Sequence, residues 1–509
     1  MVGLQVLLTT VALSTTLLEA KPILDRRAAL SDCLSNIAGA ATTLPGSSNY
    51  DSASAAYNQR VQPSPAAVVV PSSISQLRAV IACARSNGVP VSARGGGHSY
   101  ASYGLGDVNT PSVVVDMQKF NTIQVNENEH TATIGGGQRL GDIYLALNDK
   151  GQGFPAGTCP FVGAGGHFGY GGYGFAARWQ GLAVDRVIGY NVMLPNGTFI
   201  QNLTPQRDSD LFWALAGSAS SFGIVTAYHV KTFDAPSQAV MFKYNYNGAS
   251  VQTLTKAFFA FQSWGLTKAP GSLGIAAVMS PGGNLELSGV QYGVSRDQFN
   301  SVISSLTSTL PAGYDSDVHE TDWIGSLKEL ANGQNLDTTG QQSNRDTFFA
   351  KSLMTPSDKP LTEQALTSFF NFLSNKTPDT SKNTFVMCDL YGGQNSAINK
   401  VSLDQSSFGT RSSLLTCQFY TSSPTYGLPW PSDSMSYVNN LYGSLVDPIK
   451  STWGSSIRAY TNYIDPTLDE QTSKSLYWGS QYDRLSRVKS RVDPSQVFRF
   501  KQSIKPSGQ

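Results

Sequence analysis

The sequence predicts an α+β protein of at least two domains, and three observations carry that prediction. At 509 residues the chain exceeds what one hydrophobic core supports. Strand-like and helix-like periodicities begin at Pro63 and close near Asp234-Ala235-Pro236. From about residue 240 to 455 a second pattern appears, in which apolar strand runs alternate with helical ones, the mark of a separate α+β unit.

Taken in order, the elements begin with an N-terminal leader. Leu4 to Leu18 is apolar, too short to span a bilayer, and ends at Leu18-Glu19-Ala20, so residues 1–20 read as a signal peptide even though no Lys or Arg precedes the apolar run. Residues 21–62 are Ala- and Ser-rich and read as a peripheral segment. Ile74, Leu77, Ile81 and Ala84 repeat at helical spacing behind a Ser72-Ser73 cap. Val89 to Ala93, Val113 to Asp116 and Thr131 to Gly135 read as strands, Leu140 to Asn148 as a helix, Gly163 to Gly174 as a loop. Val187 to Leu194 and Phe222 to Val230 are further strands. In the second unit Leu273 to Met279, Phe385 to Tyr391 and Leu414 to Tyr420 read as strands and Leu361 to Leu373 as a helix. The tail carries an amphipathic helix over Lys474 to Val492 and ends through Asp493-Pro494.

Composition narrows the class. Charged residues make up 14% of the chain, against roughly 25% in an average soluble protein, and the formal net charge is +1. No basic patch stands out, which argues against nucleic acid as a partner, and no later stretch is long and apolar enough to span a membrane. The 48 glycines and 22 tyrosines fit a secreted enzyme, and Asn-x-Thr sequons begin at Asn196, Asn202 and Asn375. The five cysteines are an odd number, so at least one lacks a cysteine partner within the chain. Cys33 and Cys83 are the leading disulfide pair, which leaves Cys159 for other chemistry. Cys388 and Cys417 lie in apolar strand-like runs and read equally well as buried thiols or a second bridge. The five histidines show no metal-ligand spacing, so no metal is expected.

Arg94-Gly95-Gly96-Gly97-His98-Ser99-Tyr100 is the most informative segment. Three consecutive glycines let a backbone approach a ligand closely and aim several N–H groups at an anion such as a dinucleotide pyrophosphate. No amphipathic helix opens behind them, which argues against the dinucleotide fingerprint of a Rossmann fold. Gly157-Thr158-Cys159-Pro160 sets a cysteine in another glycine-rich loop. A histidine and a cysteine so framed point to a doubly attached flavin.

With Gly157 to Phe175, Gly217 to Val225, Tyr460-Thr461-Asn462-Tyr463 and the terminal Asp493-Pro494, these segments form a set in a recognisable order. From Pro63 to Phe500 the chain resembles the berberine bridge enzyme-like branch of the vanillyl-alcohol oxidase flavoproteins. Within it, the likeness is to fungal oligosaccharide oxidases and FAD-linked oxidoreductases of secondary metabolism. The resemblance implies a two-part PCMH-type FAD-binding domain, residues 63–236 completed by a berberine-bridge-like segment at 456–509, around a substrate domain at 237–455 whose antiparallel sheet roofs the flavin. It implies FAD bound covalently through His98 at the 8α-methyl carbon and Cys159 at C6. Arg94, Gly95, Gly96, Gly97, Ser99, Val162, Gly163, Gly166, His167, Gly172, Gly223 and Ile224 match the cofactor-binding positions. Val162 matches a site that carries valine in the family's oxidases, where it leaves room for dioxygen.

The resemblance further implies that Tyr463 and Asp389 are catalytic. A phenol of reference pKa about 10 is a poor base at neutral pH. A neighbouring carboxylate that takes the proton onward makes the two one unit. Tyr100 and Gln418 match residues that line the sugar site of the oligosaccharide oxidases. Met387 and Ser288 stand where those enzymes carry Gln, and Glu or Gln. Two lost polar partners, each worth about 1 to 3 kcal/mol, favour a less polar alcohol that becomes an aldehyde or ketone. Oxidation of a reducing-end sugar to its lactone is the second reading, and a catalytically silent flavin-binding protein is the third. Hydrogen peroxide from dioxygen, a monomer and a secreted location complete the expectations.

Overall fold

The computed structural model describes residues 27–341, 344–374 and 381–508; the expected signal peptide and the sequon at Asn375 lie outside them. Asn196 and Asn202 are exposed.

The first sheet has four short strands in the order Ala41–Thr43, Ala67–Val70, Val113–Asp116 and Val91–Arg94, the last three parallel. Val113, Val114 and Val115 are all fully buried, as strands covered on both faces require. Helix Ile74–Ser86 crosses over this sheet behind Ser73, whose hydroxyl accepts from the Gln76 N–H, and buries Leu77, Val80, Ile81 and Ala84. Cys33 and Cys83 form a disulfide that ties residues 27–35, a helix, to this one. A second, antiparallel sheet follows in the order Ile123–Asn126, Thr131–Gly135, Ile224–Lys231, Val187–Met193 and Phe199–Leu203.

The third sheet has seven antiparallel strands: Asp315–Thr321, Ala239–Tyr246, Asn284–Tyr292, Leu273–Ser280, Asn383–Leu390, Ser413–Ser422 and Phe348–Pro356. Side chains alternate across it. Val386, Cys388, Leu390, Cys417 and Phe419 face helices Val251–Thr267, Glu363–Ser374 and Ser434–Val446 and share one core with Phe258, Phe261, Phe369 and Val438. Met387, Asp389 and Gln418, out of step by one residue, take the opposite face and line a cavity. Cys388 and Cys417 are directly paired in register and form a disulfide, which decides between the two open readings of these cysteines. Cys159 is the one free cysteine among the described residues.

The end of the chain returns to the first sheet. Val497 and Phe498 join its core, and the Val91 N–H donates to the Val497 carbonyl (2.9 Å). The Asp493 carboxylate accepts from the Val497 and Phe498 N–H groups and pairs with Lys489 Nζ at 2.6 Å, both side chains fully buried. A buried pair of this kind is tolerable because its remaining valences are met by hydrogen bonds.

Three local expectations give way. The glycine-rich loop at Gly163 contains a helix, Ala164–Gly169, whose small residues let it pack against neighbouring backbone. The single tail helix is two, Glu470–Tyr477 and Tyr482–Val492, divided around Gly479 at φ +54°. The segment before residue 63 is not peripheral: it supplies the edge strand Ala41–Thr43 and places Tyr57 in the cavity wall.

Candidate active site

A cavity of about 450 Å³ lies between the glycine turn and the seven-stranded sheet. Its floor begins where strand Val91–Arg94 ends. The Arg94 guanidinium pairs with the Asp116 carboxylate on the adjacent strand and donates to the Ala53 carbonyl (2.6 Å), which holds the turn, and Arg94 also lines the cavity. Gly97 sits at φ +78°, open to glycine and strained for other residues. Gly96 and Gly163 lie back to back: a Cβ on Gly96 would come within 2.7 Å of Gly163 Cα and of the Phe161 carbonyl oxygen. Gly166 lines the cavity, and a Cβ there would meet nothing within 4 Å. It would project into ligand space. Ser99 Oγ accepts from the Tyr103 N–H (3.1 Å) and braces the far side of the turn.

His98 is drawn into this wall, with its imidazole pKa lowered to about 3 by burial and, secondarily, by the Arg139 cation. It is therefore neutral at working pH. His167 is likewise lowered to about 4 by burial, and its Nε2 accepts from the Gly157 N–H at 2.9 Å, supporting the turn that carries Cys159. The Cys159 thiol is raised by burial, against the lowering pull of the Phe161 and Val162 N–H groups, and stands 3.8 Å from Gln334 Oε1. Val162, Gly223 and Ile224 complete this part of the wall. Gly172 does not line it; its N–H donates to Tyr460 Oη (3.1 Å) instead.

The roof brings the expected pair together. Asp389, 3% exposed, lies opposite Thr416 on one neighbouring strand and Ala276 on the other, and its Oδ2 has no hydrogen-bond partner. Burial pushes its carboxyl up to about 7. The Tyr463 phenol is held well above its ordinary range by burial and then by the Asp389 charge. Its ring stacks on Tyr100 (5.7 Å, 16°) and meets the edge of Tyr460 (5.1 Å). Gln418, paired with Met387 in register, donates from Nε2 to Tyr100 Oη at 2.6 Å. Ser288 is on the same face of the sheet, one strand beyond Ala276, but its hydroxyl donates to Glu286 Oε1 (2.6 Å) and it stays out of the cavity wall. Sequence reasoning missed Tyr57, Tyr170 and Tyr173, all in the wall. Tyr170 and Tyr173 lie in the singled-out segment Gly157 to Phe175, where the glycines drew the reading, whereas nothing in its local sequence marks Tyr57.

The Asp389 environment has a measurable consequence. An unfolded aspartate ionises near 3.9, whereas the folded group resists ionisation until about 7, so the native state loses stability as pH rises between those values. Asp389→Asn is expected to melt with the wild type near pH 4. By pH 8 it should be the more stable by a few kcal/mol, read from thermal melts across that range.

A cavity lined by a backbone glycine cradle and by buried, oxygen-bearing side chains fits a class, proteins that hold a dinucleotide. The chain matches the FAD binding domain family over residues 65–202 and the family of berberine and berberine-like proteins over residues 459–505. It is 31% identical over 488 residues to a xylooligosaccharide oxidase of Thermothelomyces thermophilus, covering 95% of each chain. It is also 32% identical over 483 residues to an FAD-linked oxidoreductase of Metarhizium anisopliae, covering 94% of this chain and 91% of that one. Among solved structures it resembles a chitooligosaccharide oxidase with a TM-score of 0.87 at 31% identity, covering 94% of this chain and all of the other. A glucooligosaccharide oxidase of Acremonium strictum, described with a 6-S-cysteinyl, 8α-N1-histidyl FAD, matches with a TM-score of 0.87 at 28% identity over 94% of this chain and 100% of its own. The chain belongs to the berberine bridge enzyme-like family of FAD-dependent oxidoreductases.

Proposed function

We propose that this protein is a secreted, monomeric oxidase of a hydroxyl-bearing carbon. In this reading it carries FAD bonded to both His98 and Cys159 and tailors a small metabolite alcohol to an aldehyde or ketone. Residues 63–236 and 456–509 form its cofactor half, and residues 237–455 its substrate half. The flavin, when bound, supplies the hydride acceptor and returns the electrons to dioxygen as hydrogen peroxide. The chain's own groups do the rest. The glycines at 95–97, with Gly163 and Gly166, offer a cradle free of side chains. Tyr463 takes the substrate hydroxyl proton and hands it to Asp389, whose raised pKa suits it to hold a proton near neutrality.

The observation that carries the metabolite reading is the thioether of Met387 in the cavity wall beside Gln418, with Ser288 withdrawn onto Glu286. Gln418 is itself engaged by Tyr100, which leaves few free amides for a sugar. The second reading, oxidation of an oligosaccharide at its reducing end, is favoured by the kinship with xylooligosaccharide and chitooligosaccharide oxidases. Peroxide release on a panel of benzylic and allylic alcohols and of common oligosaccharides separates the two. We expect turnover of alcohols; strong turnover of any common oligosaccharide overturns the metabolite reading. Met387→Gln, which restores one hydrogen-bonding partner, is expected to raise kcat/KM on oligosaccharides about 5- to 10-fold while lowering it on the alcohols.

A further inference from the structure

Residues 56–62 run between the glycine turn and the seven-stranded sheet, bonded to both. The Tyr57 ring lies on the His98 imidazole, with centroids 4.1 Å apart and planes 25° from parallel, and meets the edge of Phe348 at 5.7 Å. The next residue, Asn58, is 1% exposed. Its Nδ2 donates to the carbonyl of Tyr100, two residues beyond His98 (2.8 Å), and its Oδ1 accepts from the Phe348 N–H (3.3 Å). The backbone is pinned as well. The Asp346 N–H donates to the Tyr57 carbonyl (2.9 Å), and the Gln59 N–H donates to the Asp346 carbonyl (2.8 Å). Arg60 Nε donates to the Phe348 carbonyl (2.9 Å), and its guanidinium covers the Phe349 ring at 5.3 Å.

The strap therefore has little freedom, and the ring it carries covers one face of the imidazole. Burial, and beside it the Asp346 charge, hold the Tyr57 phenol protonated, while burial keeps His98 neutral. The stack is between two uncharged rings, where contact and orientation count and charge does not.

We propose that Tyr57 is a positioning residue for covalent flavin attachment: its ring, fixed by the 56–62 strap, sets the plane of the His98 imidazole so that a ring nitrogen meets the flavin methyl carbon. This rests on the reading that His98 carries the flavin. Attachment exchanges one C–H bond of the methyl group for an N–C bond. The imidazole N–H bond is lost as well, so two protons and two electrons are released in all, and they reduce dioxygen, the oxidant of the proposed activity, to hydrogen peroxide. The role is orientation alone, so the phenol oxygen is dispensable and the ring is not.

The test uses the full-length holoprotein as wild type, Tyr57→Phe and Tyr57→Leu. Flavinylated peptides are mapped at His98 and Cys159, and the flavin midpoint potential is measured. Tyr57→Phe should match the wild type. Tyr57→Leu should lower the His98-linked fraction about fivefold, in keeping with the loss of an aromatic pair, with Cys159 still linked and the potential shifted down. His98 linked as fully and as fast in Tyr57→Leu as in the wild type overturns the proposal. If Tyr57→Leu does not fold, Asn58→Ala decides by the same ratio, because it loosens the strap and keeps the ring. A wild-type protein without flavin on His98 instead overturns the covalent reading on which the proposal rests.

Discussion

Tyr463→Phe is expected to slow flavin reduction by the substrate about 10²- to 10⁴-fold, the span typical of losing a positioned proton-transfer group. The ring would remain, so its stack on Tyr100 at 5.7 Å should persist and substrate affinity should change little. The loss belongs in the rate of reduction, read by anaerobic stopped-flow, and not in KM. Asp389→Asn should act on the same step, and the double variant should be barely slower than the worse single one, because two groups that pass one proton fail together. The wild-type rate should climb as pH rises through about 7, where the Asp389 carboxyl ionises, and Asp389→Asn should flatten that limb. A Tyr463→Phe enzyme within about threefold of wild type would remove this residue from the chemistry.

Gly96→Ala is expected to yield no flavin-loaded protein. The added methyl would lie within 2.7 Å of the Gly163 Cα and the Phe161 carbonyl oxygen, both backbone atoms of a facing segment. No rotamer relieves such a clash. The two loops would have to part, at a cost of at least about 3 kcal/mol, the upper end of what overpacking usually exacts. Gly166→Ala is the informative control. Its methyl would meet nothing within 4 Å, so melting temperature should hold while flavin content falls. Apoprotein melting temperature and bound flavin per chain measure both. If Gly96→Ala retains stability and full flavin, the back-to-back packing of the two loops does not matter.

Much of this was legible in the sequence because its signals are local. Three glycines before His98 are a statement about backbone space, and the structure returns that space as the contact between Gly96 and Gly163. Asp389 and Met387 were placed in the site by the resemblance, and the strand's period of two then keeps them on one face, where both line the cavity. The withdrawal of Ser288 was not readable. It depends on Glu286, two residues back on the same face, capturing the hydroxyl, and either rotamer fits the sequence. The ion pair of Arg94 was hidden for a similar reason: Asp116 is a partner fixed only when two parallel strands align. Tyr57 was beyond reach, since its place over His98 follows from bonds to Asp346 and Phe348, nearly 300 positions along the chain.

The Cys388–Cys417 bridge joins the two roof strands one residue from Asp389 and from Gln418, on the side away from the cavity. Strands held by ladder hydrogen bonds alone can slip by two residues and keep their faces; strands riveted at one rung cannot slide past each other at all. The carboxyl and the amide that line the cavity are thus locked to a common ruler by a bond that only an oxidising compartment supplies. Chain made in a reducing cytosol would have the same residues over its cavity with nothing covalent to keep them level, and active-site alignment would become a matter of where the protein was made.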